Sequence, residues 1–199
     1  MRPHRLLPLT PWTAGSTLVF CLAIVLTALI SPLGAGAATV WSGPAIDFVK
    51  PDFGDPNDAA NRDVILPGVV EITRGNSSGL YNHAAEAGYA IDFSPADTEW
   101  AFLNNNPVET VEAANFMNLS FADWKTAHGG NPLGTIGHPA VLHIVSADIY
   151  IDLTFTSFTS GGAGGGFAYT RSTVPEPATG LLLACALAAL GLHRRARSA

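Results

Sequence analysis

The chain has 199 residues, 48% of them hydrophobic, and a formal charge of −6. Once its two apolar ends, residues 18–30 and 181–192, are set aside, residues 38–175 hold five Lys/Arg against fifteen Asp/Glu, a charge near −10. A body that acidic repels phosphate backbones, which excludes nucleic acid as a partner. Its lack of cysteine excludes a disulfide framework or a thiolate zinc site, since Cys21 and Cys185 both lie in the apolar ends.

In chain order, Arg2 and Arg5 precede the apolar run 18–30 with no acid among them, and Ser31, Pro32 and Gly34 break the run. Ala35-Gly36-Ala37 then gives an A-x-A site, so residues 1–37 read as a secretory signal peptide cut by signal peptidase between Ala37 and Ala38. An uncleaved anchor would need about 20 apolar residues, more than this run supplies.

Residues 38–173 read as an exported β-rich domain. Gly, Pro, Asn and Asp interrupt the chain every ten residues or so, and helical periodicity is scarce, which predicts an all-β fold: an antiparallel sandwich, jelly-roll-like. The expected strands are 39–41, 45–50, 64–66, 69–74, 100–103 and 141–145. The strongest is 148–156, where Ile149, Ile151, Leu153 and Phe155 point one way and Asp148, Tyr150, Asp152, Thr154 and Thr156 the other. That alternation predicts one buried and one wet face. Phe158 breaks the phase and predicts a bulge near Ser157. Residues 110–127 fit only half a helical stripe and are expected to be helical or irregular.

The run 160–166 is glycine-rich, but no P-loop Lys-Ser/Thr follows it, so it reads as a flexible turn into a strand with Phe167, Tyr169 and Arg171 on one face. Asp52, Asp55, Asn57 and Asp58 crowd one loop, with Asp47 and Asp63 nearby. Calcium takes six to eight hard oxygens, and this loop composition suits it, although the spacing is not that of an EF-hand; the alternative is a solvated turn. No other cofactor is expected. His83, His128, His138 and His143 form no metal-binding pair, and there is no G-x-S-x-G. Carboxylate pairs such as Glu109/Glu112 or Asp97/Glu99 suit glycoside hydrolysis only across a defined cleft. Trp41, Trp100, Trp124 and Tyr81 suit either sugar stacking or an ordinary core.

At the C-terminus, Val174-Pro175-Glu176-Pro177 leads into the Leu/Ala-rich run 181–192 and then Arg194, Arg195 and Arg197. The prolines force an extended stretch. The apolar run suits a lipid-spanning helix, short for a bilayer of about 30 Å. The arginines should stay on the cytoplasmic side. This order closely resembles the PEP-CTERM sorting signal of Gram-negative bacteria. The resemblance implies processing by an exosortase at or near Pro175-Glu176-Pro177. It also implies transient residence in the inner membrane, then the cell surface or matrix of cells that make extracellular polysaccharide. Segment 148–173, with Thr73-Arg74-Gly75-Asn76 and residues 94–100 upstream, also resembles the closing part of an exported bacterial family with no assigned activity.

Three segments follow: 1–37, 38–173 and the sorting segment 174–199. The expected function is a non-enzymatic structural or binding module at the cell surface, engaging polysaccharide of the matrix. The alternatives are a secreted carbohydrate-active enzyme and a calcium-stabilised adhesion module.

Overall fold

Alternation of apolar and polar side chains sets the strands, and in the computed structural model, whose described residues are 37–175, nine of them form two sheets. They are β1 (Thr39–Trp41), β2 (Ile46–Lys50), β3 (Asp63–Leu66), β4 (Val70–Arg74), β5 (Leu80–Asn82), β6 (Thr98–Phe102), β7 (Pro139–Ile144), β8 (Ile149–Phe158) and β9 (Phe167–Arg171). One sheet runs β2-β9-β8-β7-β6 with β1 beside β8; the other is β3-β4-β5. Every pairing is antiparallel except β1 with β8. The only α-helix among the described residues is the four-residue α1 (Trp124–Ala127), so the body is mostly β-sheet, as expected. The chain divides into two compact units, Met1–Ala37 and Ala38–Ala199, and the sheets belong to the second. Ala35, Glu176, Pro177, Arg194, Arg195 and Arg197, with both terminal apolar runs, lie outside the described residues. Among the described residues no helix is long and apolar enough to cross a membrane.

β8 organises the larger sheet. Its first half pairs with β1 (Trp41 opposite Ile151) and its second half with β9 (Phe158 opposite Phe167), so both ends of the body meet on one edge of the same strand. The β8–β9 register shifts between Phe155 and Ser157, and this is the expected bulge. It returns Phe158 to the inner face, where it is buried.

The inner face carries Trp41, Trp100, Phe102, Leu142, Ile144, Ile151, Leu153, Phe155, Phe167 and Tyr169. These pack against Ile65, Val70, Ile72 and Leu80 of the smaller sheet and against Trp124 of α1 in one core. Trp100 and Trp124 meet edge to face with ring centroids 5.1 Å apart. Burial of each such side chain contributes about 1.5–3 kcal/mol. One buried ionic group also links the two sheets. Arg171 of β9 grips Asp63 of β3 with two bonds (Nε–Oδ2 2.6 Å, Nη2–Oδ1 2.8 Å), and the Tyr169 hydroxyl donates to the same carboxylate at 2.7 Å.

The outer face of β8 is wet toward its end, where Thr156 is exposed, but not along its first half, as the alternation would have it. Tyr150 is buried, and with Ala101 and Val141 it lies under residues 108–121, which bring Val111, Phe116 and Phe121 onto it. This cover leaves the end of β6 through 3₁₀ turns at Leu103–Asn105 and Ala113–Asn118 and returns to pair Ala122 with Trp100 on the free edge of β6. The segment is irregular, as expected of its weak stripe. Point hydrogen bonds fasten it. Asp152 Oδ1 accepts from Ala113 N at 2.6 Å, and buried Asn106 joins Ser120 to Phe102.

The glycine run corrects a second expectation. Residues 161–163 are exposed, but 164–166 are buried and held. Gly164 O accepts from Phe53 N at 2.7 Å and Gly166 N donates to Asp52 Oδ1 at 2.8 Å. Two buried cations reach the same backbone: Lys50 Nζ donates to Gly165 O, and Arg74 donates to Thr159 O, Gly166 O and Ser78 O. The Arg74 guanidinium also lies 3.9 Å over the Phe158 ring, and burial pulls its pKa down to about 10. Gly165 has φ +66, and a Cβ there would overlap Gly75 O and stand 2.8 Å from Asn76 Cα. The half of the run nearest β9 is therefore a fitted plug, with glycine needed for close backbone approach.

Candidate functional site

The last body residues before the C-terminal segment are fixed by backbone bonds. Ser172 N donates to Asp152 O at 2.9 Å, Gly43 N to Thr173 O at 2.9 Å, and the Thr173 hydroxyl to Pro44 O at 2.8 Å. Gly43 permits the approach, because a Cβ there would overlap Val174 O and stand 2.7 Å from Thr173 Oγ1. Val174 is exposed, and Val174-Pro175 follow without an intervening linker. The chain thus passes from β9 to the Pro-Glu-Pro segment within four residues. At the other end Ala37 and Ala38 are exposed and β1 starts at Thr39.

Beside this junction lies a cleft of about 300 Å³, lined among others by Ala45, Ser172, Thr170, Glu112 and Asp152. Burial pushes the Asp152 carboxyl above its ordinary value, and the nearby Glu112 charge adds to this, while the Ala113 amide opposes it. Sequence reasoning did not single out this carboxylate pair. Asp152 looked like one more wet residue of an alternating strand, and its partner comes from an irregular segment 40 positions away.

The residues that were singled out are dispersed. Asp52 faces the glycine run, where bonds from Thr159 and Gly166 N hold its carboxyl below the usual range. Asp55 accepts from Asn57 N and Nδ2, both at 2.9 Å, which lowers it likewise. Asn57 turns its Oδ1 toward His83 Nε2 at 3.5 Å. Asp58 contributes its backbone N–H to a turn on Asp55 O, and Asp47 accepts from Thr170 on the β2 edge. Among the described residues no group of three His, Cys, Asp or Glu is arranged to hold a metal ion.

Three members of the suggested carboxylate pairs are engaged by other partners. Asp97 accepts from Ser146 N and Oγ, Glu99 lies 3.4 Å from His143, and Glu112 accepts from Asn115 Nδ2. Trp41, Trp100, Trp124 and Tyr81 are all buried, so each belongs to the core. Of the histidines, His83 contacts Arg62, and His143 stacks on Tyr150 between Glu99 and Asp148. His138 is exposed ahead of β7, and His128 caps α1.

No curated protein and no solved structure matches the chain. A family model described as the PEP-CTERM protein-sorting motif matches residues 173–197. It begins at Thr173, the residue whose carbonyl and hydroxyl make the last bonds to the body, and it contains Val174, Pro175, Glu176, Pro177, Arg194, Arg195 and Arg197. The body is outside the match. The chain thus carries a PEP-CTERM protein-sorting motif, which implies secretion through the membrane, sorting to the cell surface and processing by exosortase.

Proposed function

We propose that the exported body is a non-catalytic surface module, a β-sandwich that the sorting signal delivers to the cell surface, where it engages matrix polysaccharide. The observation that carries this reading is the junction. The sorting motif starts at the residue that closes the fold, so the body itself is the delivered cargo. Its acids support a non-catalytic role, because Asp47, Asp52, Asp55, Asp63, Asp97 and Glu86 each accept hydrogen bonds that hold backbone or neighbouring strands. Two sheets sharing one apolar core support the sandwich description. The signal peptide at 1–37 and the apolar run 181–192 supply export and a transient anchor in this reading.

The test is a printed glycan array probed with the exported protein, together with a polysaccharide-release assay on the same sugars. Binding without release is expected; reducing sugar appearing over time would overturn the non-catalytic role. Mass spectrometry of the mature protein is expected to find the C-terminus at or near Pro175–Pro177, and an intact Arg194-Arg195 end would refute processing.

A second reading has one observation in its favour. The junction cleft holds a carboxyl with a raised pKa, Asp152, beside a second carboxylate, Glu112, as a general acid and its partner require. Under that reading, release activity appears and is abolished by Glu112→Gln.

A further inference from the structure

Loops at one side of the inner core form a row of three adjoining hollows, of about 190, 180 and 270 Å³. The first two share Asn104, Gly134 and Thr135; the second and third share His128. At about 30 Å³ per water, the smallest holds about six waters, close to the bulk of one sugar ring. The walls belong to loops and α1 almost throughout, so no free strand edge offers itself to an extended peptide.

The lining chemistry is selective. The body carries fifteen acids, yet no Asp or Glu lines any of the three hollows. The groups present include side-chain amides at Asn104 and Asn131, imidazoles at His138 and His128, the Thr135 hydroxyl, and the aromatic rings of Tyr89, Trp124 and Phe158 in the third hollow. Asn104 and His138 are exposed and make no side-chain hydrogen bond among the described residues, so both offer bonding capacity to the row. His128 Nδ1, in the wall between two hollows, is a buried nitrogen without a hydrogen-bond partner among the described residues. The one cation at the rim, Lys125, is matched by Asp92 at 2.7 Å, so the row carries no surplus positive charge to attract a polyanion, and the acidic body would repel one.

We infer that this row is a binding site for a neutral, unbranched glycan, one sugar unit per hollow, with the amide and imidazole groups bonding its hydroxyls and Tyr89 lying against a ring face. The inference rests on the polysaccharide reading above and assigns that reading its site.

The experiment is calorimetric titration of the exported protein with two probes, the neutral hexasaccharide cellohexaose and the acidic hexagalacturonate. The variants are Asn104→Ala, His138→Ala and Tyr89→Leu, with Thr110→Ala in the junction cleft as control, each first checked for an unchanged melting temperature. Cellohexaose is expected to bind, and each exposed-site variant to weaken it about three- to tenfold, as for a lost hydrogen bond or ring contact. Thr110→Ala leaves it unchanged. Should Tyr89→Leu unfold, the two exposed polar variants still decide the matter. Equal binding by parent and variants, or weakening by Thr110→Ala alone, overturns this site while the polysaccharide reading stands. Preference for hexagalacturonate overturns the neutral-glycan assignment. If neither probe binds and the glycan array is blank, both readings fall.

Discussion

The six-stranded sheet is covered in two different ways. On its inner face Trp100, Leu142, Ile151 and Phe155 meet a second sheet and α1, and a bidentate ion pair joins the two sheets. On its outer face Ala101, Val141 and Tyr150 meet an irregular segment fastened by a few side-chain hydrogen bonds of Asp152 and Asn106. One alternating strand, β8, serves both. Regular cover shares its stability across many contacts, so it should fail only with the whole fold. Irregular cover depends on a few residues, so it should open by itself.

The inner cover is most directly broken at Asp63. Asp63→Ala leaves the Arg171 charge buried without its carboxylate and removes the acceptor of the Tyr169 hydroxyl. Loss of one partner of a buried pair costs about 3–5 kcal/mol, a fall of about 10–20 °C in melting temperature for a body of this size. A change within about 2 °C would mean that the pair does not hold the sheets together.

Acid should act on the two faces with opposite signs. On the inner side His128 is buried against Trp124, ring centroids 4.5 Å apart, and burial lowers its pKa from 6.5 to about 4. A depressed folded pKa gives stability that is present above pH 6.5 and lost as pH falls through about 4, worth about 3 kcal/mol. Urea midpoints at pH 7 and pH 4 are expected to converge in His128→Phe and to stay apart in the parent. On the outer side the Asp152 carboxyl is raised by burial, so its contribution is present below its unfolded value of 3.8 and lost as pH rises through the folded one. Asp152→Asn keeps an acceptor for Ala113 N and is expected to gain stability at neutral pH; a loss there would show that the charge itself is needed.

The glycine run repeats the contrast within seven residues. Gly165→Ala places a methyl against Gly75 O at a positive φ and is expected to cost about 2–3 kcal/mol. Gly161→Ala meets nothing within 4 Å and is expected to stay within about 0.5 kcal/mol of the parent. Chemical denaturation of the pair reads the difference, and equal stabilities would contradict the plug described at 164–166.

What was legible in the sequence follows from these physical differences. β8 could be read because period-2 alternation is local, and so could its bulge, because Phe158 sits one position out of phase. The sorting signal could be read because its composition and order are the signal. β5 could not, since Leu80–Asn82 is three residues long and is defined by its partner β4 and by the buried Asn82 amide, which bonds Val69 O and Ala96 O. The burial of Tyr150 on the face that alternation predicts to be wet is not legible locally, because its cover arrives from about 30 to 40 residues upstream. The candidate site is of the same kind: the glycan row draws on residues from 78 to 158, and no local pattern joins Tyr89 to Asn104 or His138.

The sharpest division of the two covers comes from the outer one. Phe116 stacks on Tyr150 with ring centroids 4.2 Å apart and is itself half-buried. Phe116→Ala removes that stack and part of the small outer core, about 1–2 kcal/mol. Because the inner core does not touch Phe116, the loss should appear as local opening rather than global unfolding. In native-state hydrogen exchange the amides of Ala113, Leu119 and Ser120, bonded to Asp152, Phe116 and Asn106, are expected to lose protection. Those of β7 and β8 should keep theirs. If protection instead falls equally along β7 and β8, the loop and the sheet unfold as one unit, and the difference between regular and irregular cover is one of appearance without energetic consequence.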